Sequence, residues 1–216
     1  MSRDYGQYCG LARALDVVGD RWNLLIVRQL LIGPARFGEL RDGLPGIATN
    51  LLTERLRHLE TYGVVERCLA DDSSAVAYAL TPWGAELRGP VNALIRWSTP
   101  LMIRGPEGDE FRPDGLLVAL PALFDGRIPM DHAAAVGISV DGEMIQLRAT
   151  ESGIDVGRPD GRALDAVLTA EGQLVLGLAA GLLSLADVAP LVDISGDQSA
   201  LKVFFDAPAS SVDVTG

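Results

Sequence analysis

Apolar positions in the first hundred residues recur at intervals of three and four. Leu11, Leu15 and Val18 fall at i, i+4 and i+7, the spacing of one helix face. Gly19 interrupts, and Asp20 is placed to cap the next helix by accepting from a free backbone N–H. That helix, residues 21–32, is apolar nearly all round through Trp22, Leu24, Leu25, Ile26, Val27, Leu30 and Leu31, so it is expected at the centre of a core. Gly33-Pro34 stops it, a short helix follows with Phe37, Leu40 and Leu44 on one side, and Gly43 with Pro45-Gly46 makes a turn. Leu52, Leu56 and Leu59 then form a stripe with Leu51 at its edge, opposite Thr49, Asn50, Thr53, Glu54, Arg57 and Thr61. Gly63 ends this helix. Residues 64–70 and 75–81 read as two strands around the turn 71–74.

Short helix, tight turn, second helix and β-hairpin is the layout of a winged helix-turn-helix, whose second helix can enter a DNA major groove. The side chains suit that use. Asn50 can pair with adenine through two hydrogen bonds, and Arg57 can reach guanine or a phosphate. Thr49 and Thr53 can donate to phosphate or meet a thymine methyl, and Arg36 can anchor the backbone. Arg55 lies near the leucine stripe and has two open readings, a pair with a carboxylate or a DNA contact. A polar face opposite leucines is also what any solvated helix shows. Charges between residues 36 and 67 cancel, five Arg against five acidic residues, so charge alone does not call for nucleic acid. The wing tip, with Asp71 and Asp72, is a poor phosphate ligand.

Residues 82–98 carry a further stripe: Trp83, Leu87, Val91, Leu94 and Ile95. It suits either a subunit interface, joined by Leu11 and Leu15, or packing within the chain. Pro90 predicts a kink or a late helix start. After residue 110 the pattern changes. Residues 116–124 form an apolar helix with a broken start at Pro121. Residues 133–140, 144–150 and 154–158 read as strands, 160–168, 174–180 and 184–189 as helices, 191–195 as a strand and 199–205 as a last helix. The expected class is α+β, an antiparallel sheet with helices on one face behind the winged helix. Within residues 174–185 small residues (Gly177, Ala179, Ala180, Gly181) alternate with large ones. Either they permit close packing, or they leave an apolar ligand pocket lined by Leu174, Leu176, Leu178, Leu182 and Phe204.

Charge divides the 216 residues. Residues 1–104 hold 12 Arg and no Lys against 11 acidic residues, whereas 105–216 hold 6 basic against 18 acidic, within a net charge of −11. With the breaker-rich segment at 105–110, this puts a domain boundary at 104/105. The acidic half should face away from phosphate. No apolar leader and no membrane span are expected, which points to the cytoplasm. Two cysteines and two histidines give neither a disulfide framework nor a metal site. No cofactor loop, nucleophile elbow or paired acid and base emerges, so no enzyme is expected.

Residues 8–98 resemble the HxlR-type winged-helix transcriptional regulators. The resemblance rests on Tyr8-Cys9, Asp20-Arg21-Trp22, Arg36-Phe37-Gly38-Glu39-Leu40, Pro45-Gly46-Ile47, residues 52–59 and Leu80-Thr81-Pro82-Trp83-Gly84. It implies a homodimer reading a pseudo-palindromic operator, usually as a repressor, with residues 82–98 as the dimer helix. It also implies a candidate oxidant or electrophile sensor at Cys9, with Arg13 one turn on as a source of positive charge. The chain departs from the family's pattern at Asp20-Arg21 and at Ala48, which cannot cap, leaving Thr49 for that role. Residues 112–208 resemble the sterol-carrier-protein-2-like fold through 136–149, 155–168, 181–187 and 194–208. That likeness implies a pocket for an apolar small molecule.

Overall fold

The computed structural model describes residues 4–69, 75–105, 107–127, 134–151 and 153–206. The expected turn at 71–74 and His132 lie outside them. The chain divides into two compact units, Met1–Val91 and Asn92–Gly216. This division comes earlier than the breaker-rich segment at 105–110.

The first unit begins with α1 (Gly10–Val18) and α2 (Asn23–Ile32). Ile26 and Val27 of α2 have no exposed surface, and Leu30 and Leu31 little, as an all-round apolar helix requires. Asn23 is the exception: it is fully buried and donates through Nδ2 to the Val17 carbonyl at 2.8 Å. The same carbonyl accepts from His58 Nε2 at 2.9 Å, so that ring nitrogen carries the proton. One carbonyl thus ties the end of α1 to two other helices. Next come β1 (Ala35–Arg36), α3 (Phe37–Asp42) and α4 (Thr49–Thr61). Leu52, Leu56 and Leu59 of α4 are buried, and Gly63 leaves the helix with φ +70°. β2 (Val65–Leu69) pairs antiparallel with β3 (Val76–Leu80), Val65 opposite Leu80. β1 adds to the other edge of β3, Ala35 opposite Tyr78. The sequence pattern gave only the hairpin, because two residues are too few to show alternation.

After the wing come α5 (Pro82–Ala85) and α6 (Arg88–Ser98). Thr81 caps α5, accepting from the Gly84 amide at 3.0 Å, while its hydroxyl donates to the Gly63 carbonyl at 2.6 Å. Gly84 sits so close to Val64 that a Cβ there would lie 2.0 Å from the Val64 carbonyl oxygen. Pro90 is the third residue of α6, in the first turn where its missing N–H breaks no helix bond. The late start, not a kink, accommodates it.

In the second unit α7 (Leu116–Phe124) precedes a five-stranded sheet. The strands are β4 (Ala135–Val140), β5 (Glu143–Thr150), β6 (Gly153–Gly157), β7 (Ala166–Thr169) and β8 (Asp193–Gly196), in the order β6-β5-β4-β7-β8. α8 (Gly172–Ala179), α9 (Leu185–Val188) and α10 (Gln198–Phe205) follow or separate the last strands. Val136, Ile138, Val140, Ile145, Leu147, Ala166 and Leu168 share one hydrophobic core with α7, α8 and α10. The class is α+β as expected, but two details differ. The sheet is mixed, since β4 and β7 run parallel with Val136 opposite Ala166. And residues 160–168 are not a helix. Gly161 turns with φ +80°, Asp160 accepts from the Arg162 amide at 3.0 Å, and Ala166 and Leu168 point inward with period two. Among the described residues no helix is long and apolar enough to cross a membrane.

Candidate nucleic-acid interface

Helix α4 starts without a side-chain cap. Ala48 holds the N-cap position in an extended conformation, and the first intrahelical bond to it is Leu52 N to Ala48 O at 2.9 Å. The amides of the first turn therefore face outward as donors suited to an anion. Thr49 lies inside the helix rather than capping it, which corrects the expected role and leaves its hydroxyl at the surface.

Asn50 and Arg57 are exposed and seven residues apart, nearly one line along the helix. Neither side chain makes a hydrogen bond or ion pair among the described residues. Thr53 lies between them, but its hydroxyl donates to the Thr49 carbonyl at 2.9 Å. It keeps its lone pairs and methyl and has no proton left for a phosphate. Arg36 sits at the N-cap of α3, half-buried, with its amide held by the Glu39 carboxylate at 2.6 Å. Arg55 takes the structural role: it is 17% exposed and pairs with Asp20 at 2.9 Å and Glu54 at 2.5 Å. That pairing also ties up the one carboxylate beside the polar line. In the wing, Arg67 is held by Glu60 at 2.7 Å and lies against Tyr78, its pKa raised by the hydrogen bond to Glu60.

The expected interface residues do not share one environment. Leu11, Leu15, Trp83 and Leu94 are exposed, and Leu87 is half-buried. Val91 is buried within the chain, and Ile95 packs on the core of the second unit. Val91 thus belongs to the chain's own packing, whereas Ile95, like Leu87, keeps part of its surface.

The apolar pocket expected in the second unit is not formed by its five named residues. Leu178 and Phe204 have no solvent-accessible surface, so they line no void large enough for water. Leu174 and Leu176 pack against the same core, and Leu182 lies exposed beyond Gly181, φ +71°. The small residues serve close packing. A Cβ on Gly177 would meet Leu183 Cδ1 at 2.6 Å, and one on Gly172 the Phe111 ring at 2.2 Å. Among the described residues, the space over these two glycines is filled by Leu183 and Phe111.

Cys9 is exposed at the N-cap of α1. Its thiol pKa is lowered by the backbone amides of Ala12 and then Leu11, at the open end of that helix. Arg13, the expected source of charge, is instead paired with Asp16 at 3.4 Å and Asp4 at 3.8 Å. Cys68 is half-buried in β2. No cluster of three or more metal-ligating side chains occurs among the described residues. Asn23 was missed as a site of buried polarity, because nothing in the sequence tells a buried asparagine from a helix-capping one.

Residues 17–104 match the family described as HxlR-like helix-turn-helix. The chain is 38% identical over 84 residues to the HTH-type transcriptional regulator sll1512 of Synechocystis sp., covering 38% of this chain and 62% of that one. It is 38% identical over 88 residues to the HTH-type transcriptional regulator YvaP of Bacillus subtilis, covering 40% of this chain and 82% of the other. Among solved structures, the reduced form of the transcriptional regulator YodB from B. subtilis is 33% identical, with a TM-score of 0.39, covering 46% of this chain and 99% of that one. With an exposed, unpaired polar line on the second helix of a helix-turn-helix and a relative covered over most of its length, the chain belongs to the HxlR-like helix-turn-helix family.

Proposed function

We propose that the protein is a DNA-binding transcriptional regulator, acting as a homodimer and as a repressor, in the cytoplasm. The observation that carries this reading is the polar line of α4. Asn50 and Arg57 are exposed and unengaged while the neighbouring charges Glu54, Arg55 and Arg67 are committed to partners within the chain. Asn50 suits an adenine edge and Arg57 a guanine edge or a phosphate, with the uncapped first turn and Thr49 on the phosphates nearby. Arg36 and Thr53 are supporting contacts, the first to phosphate and the second through its methyl group. Of the side chains expected at a subunit interface, Leu11, Leu15, Trp83, Leu87, Leu94 and Ile95 keep surface for a second subunit. A two-fold dimer would set half-sites one helical turn apart, about 34 Å. The named functions of the relatives are those of regulators, and we assign no enzymatic activity.

The second unit is read as structural. The expected sterol-carrier-like pocket for an apolar molecule has no support in the packing of its named residues. A second reading concerns Cys9, whose exposed thiol stands at a helix N-terminus that favours the thiolate. Oxidant or electrophile sensing there would be seen as loss of DNA affinity on peroxide treatment of the wild type and not of Cys9→Ser. Equal loss in both would exclude it.

The test of the main reading is selection of duplexes from a random pool, followed by titration of the chosen sequence over a salt series. A two-fold symmetric consensus and a linear fall of log affinity with log salt are expected. Absence of any sequence preference would overturn it.

A further inference from the structure

Between Asn50 and Arg57 the outward line of α4 holds a third side chain, Glu54. At 100° per residue it stands about 40° round the helix from Asn50 and about 60° from Arg57, and all three are exposed. Their spacing of four and then three residues puts one side chain on each successive turn. A helix lying in the major groove meets successive base pairs with side chains spaced in this way. A carboxylate in the middle of such a line is the wrong group for a phosphate, which it repels.

Glu54 is nonetheless held in place. Its Oε1 accepts from Arg55 Nη2 at 2.5 Å. Arg55 is itself fixed, since its side chain is largely buried and its Nη1 pairs with Asp20 Oδ2 at 2.9 Å. Asp20 in turn accepts from the Trp22 amide at 3.2 Å through Oδ1. This chain of contacts runs from the residues that precede α2 to the outward line of α4. It commits one oxygen of Glu54 and leaves the other, as Oε2 makes no hydrogen bond or ion pair among the described residues. The guanidinium also offsets part of the carboxylate charge, which lowers the cost of bringing it beside DNA. What remains is a positioned acceptor with no proton to give.

The major-groove edges of the four bases answer such a group differently. Thymine shows O4 and guanine shows N7 and O6, all acceptors. Adenine sets the acceptor N7 beside its N6 donor, and cytosine shows the N4 donor without a neighbouring acceptor of its own. We propose that Glu54 is a specificity residue that reads a cytosine, its Oε2 accepting from the N4 amino group at the base pair between those met by Asn50 and Arg57. Arg55 is its positioning residue, touching no base and acting through the bond to Oε1. The proposal rests on the operator-binding reading and adds to it the identity of one base pair in each half-site.

The test runs duplex selection and titration on the full chain. The variants Asn50→Ala and Arg57→Ala mark the pairs that those two residues read. Wild type should select cytosine between them, and thymine in its place, which trades the N4 donor for the O4 acceptor, should weaken binding about tenfold or more. In Glu54→Ala that ratio should fall toward one, while affinity for unrelated duplexes rises because a negative charge has gone. Glu54→Gln should move the preference from cytosine to adenine, whose N6 and N7 suit an amide. Arg55→Lys keeps a charge opposite Asp20 but loses the forked bond, and should lower discrimination at this pair alone. An unchanged ratio in Glu54→Ala, or equal tightening on every sequence, would overturn the proposal. A uniform loss at all positions in Arg55→Lys would overturn its positioning role. A wild type that selects a symmetric site without that cytosine counts against Glu54 alone, whereas one that selects nothing counts against the operator-binding reading itself.

Discussion

Replacing Gly84 with alanine separates two effects of opposite sign. In a helix with open surroundings, alanine is favoured over glycine by about 1 kcal/mol. At Gly84 the new Cβ would stand 2.0 Å from the Val64 carbonyl oxygen and 2.9 Å from its carbon. Contacts below 3.0 Å are essentially not tolerated by real Cβ atoms, and the obstacle is backbone, so α5 must retreat from Val64, just before β2, by about 1 Å. The retreat strains the bonds that share this corner. They are Thr81 N to Val64 O at 3.1 Å, Thr81 Oγ1 to Gly63 O at 2.6 Å and Gly84 N to Thr81 Oγ1 at 3.0 Å. Overpacking of this kind costs about 1–3 kcal/mol, and each weakened hydrogen bond up to about 1 kcal/mol. Less the gain in helix propensity, the net loss is about 2–4 kcal/mol. For a unit of this size that lowers the melting temperature by roughly 10–25 °C. Thermal unfolding followed by circular dichroism measures it. Gly89→Ala is the internal control: it lies in α6 with nothing within 4 Å of a new Cβ, and it should be neutral or raise the melting temperature slightly. If Gly84→Ala melts at or above the wild-type temperature, the close approach of α5 to Val64 is wrong.

Asn50→Ala and Arg57→Ala should each weaken binding to the selected operator by about 1–3 kcal/mol with unchanged melting temperature; unchanged affinity in a gel-shift titration would remove that residue from the interface. Asn23→Asp would set a carboxylate against the Val17 carbonyl in a fully buried site and should destabilise the first unit by about 3 kcal/mol or more at neutral pH; chemical denaturation that matches the wild type would refute the burial. The carboxylates of Asp187 and Asp197 are held below their ordinary pKa by hydrogen bonds from Ser184 and Ser199, and that of Asp160 by Arg162. Their stabilisation is therefore present above the unfolded value of about 3.9 and lost as pH falls through the lowered folded values. The second unit should melt at constant temperature from neutral pH down to about 5 and progressively lower below about 4, less steeply in Asp187→Asn; an identical acid profile in that variant would contradict it.

The winged helix was legible in the sequence because its signals are local. A leucine stripe and a glycine past the helix end each act over a few residues, and the structure uses them where the pattern put them. What failed in the second unit was non-local. Residues 160–168 carry Ala163, Leu164 and Ala166 at spacings that fit a helix, but the strand wins because Ala166 and Leu168 complete a core built by β4. A parallel pairing of strands thirty residues apart leaves no mark on either strand. The small residues of 174–185 signalled thin packing correctly but not what fills the space. Leu183 comes back over Gly177 only because the chain turns at Gly181, φ +71°. At the candidate interface the exposed faces of Asn50 and Arg57 were legible from the stripe opposite them. The back-bonded hydroxyl of Thr53 and the partners of Arg13 were not, since each depends on rotamers.

The open start of α4 has a consequence for how the free and bound proteins differ. His58 anchors the far half of that helix to the end of α1, whereas at Ala48 a methyl stands where a hydroxyl would close the first turn. The helix is thus secured at the end away from DNA and left incomplete at the end that would touch it. Under the operator-binding proposal, a phosphate oxygen is the missing cap. The capping hydrogen bonds of the first turn then belong to the complex and not to the free protein, and a serine at this position would make a sturdier protein by giving the helix for itself what it otherwise obtains from the operator.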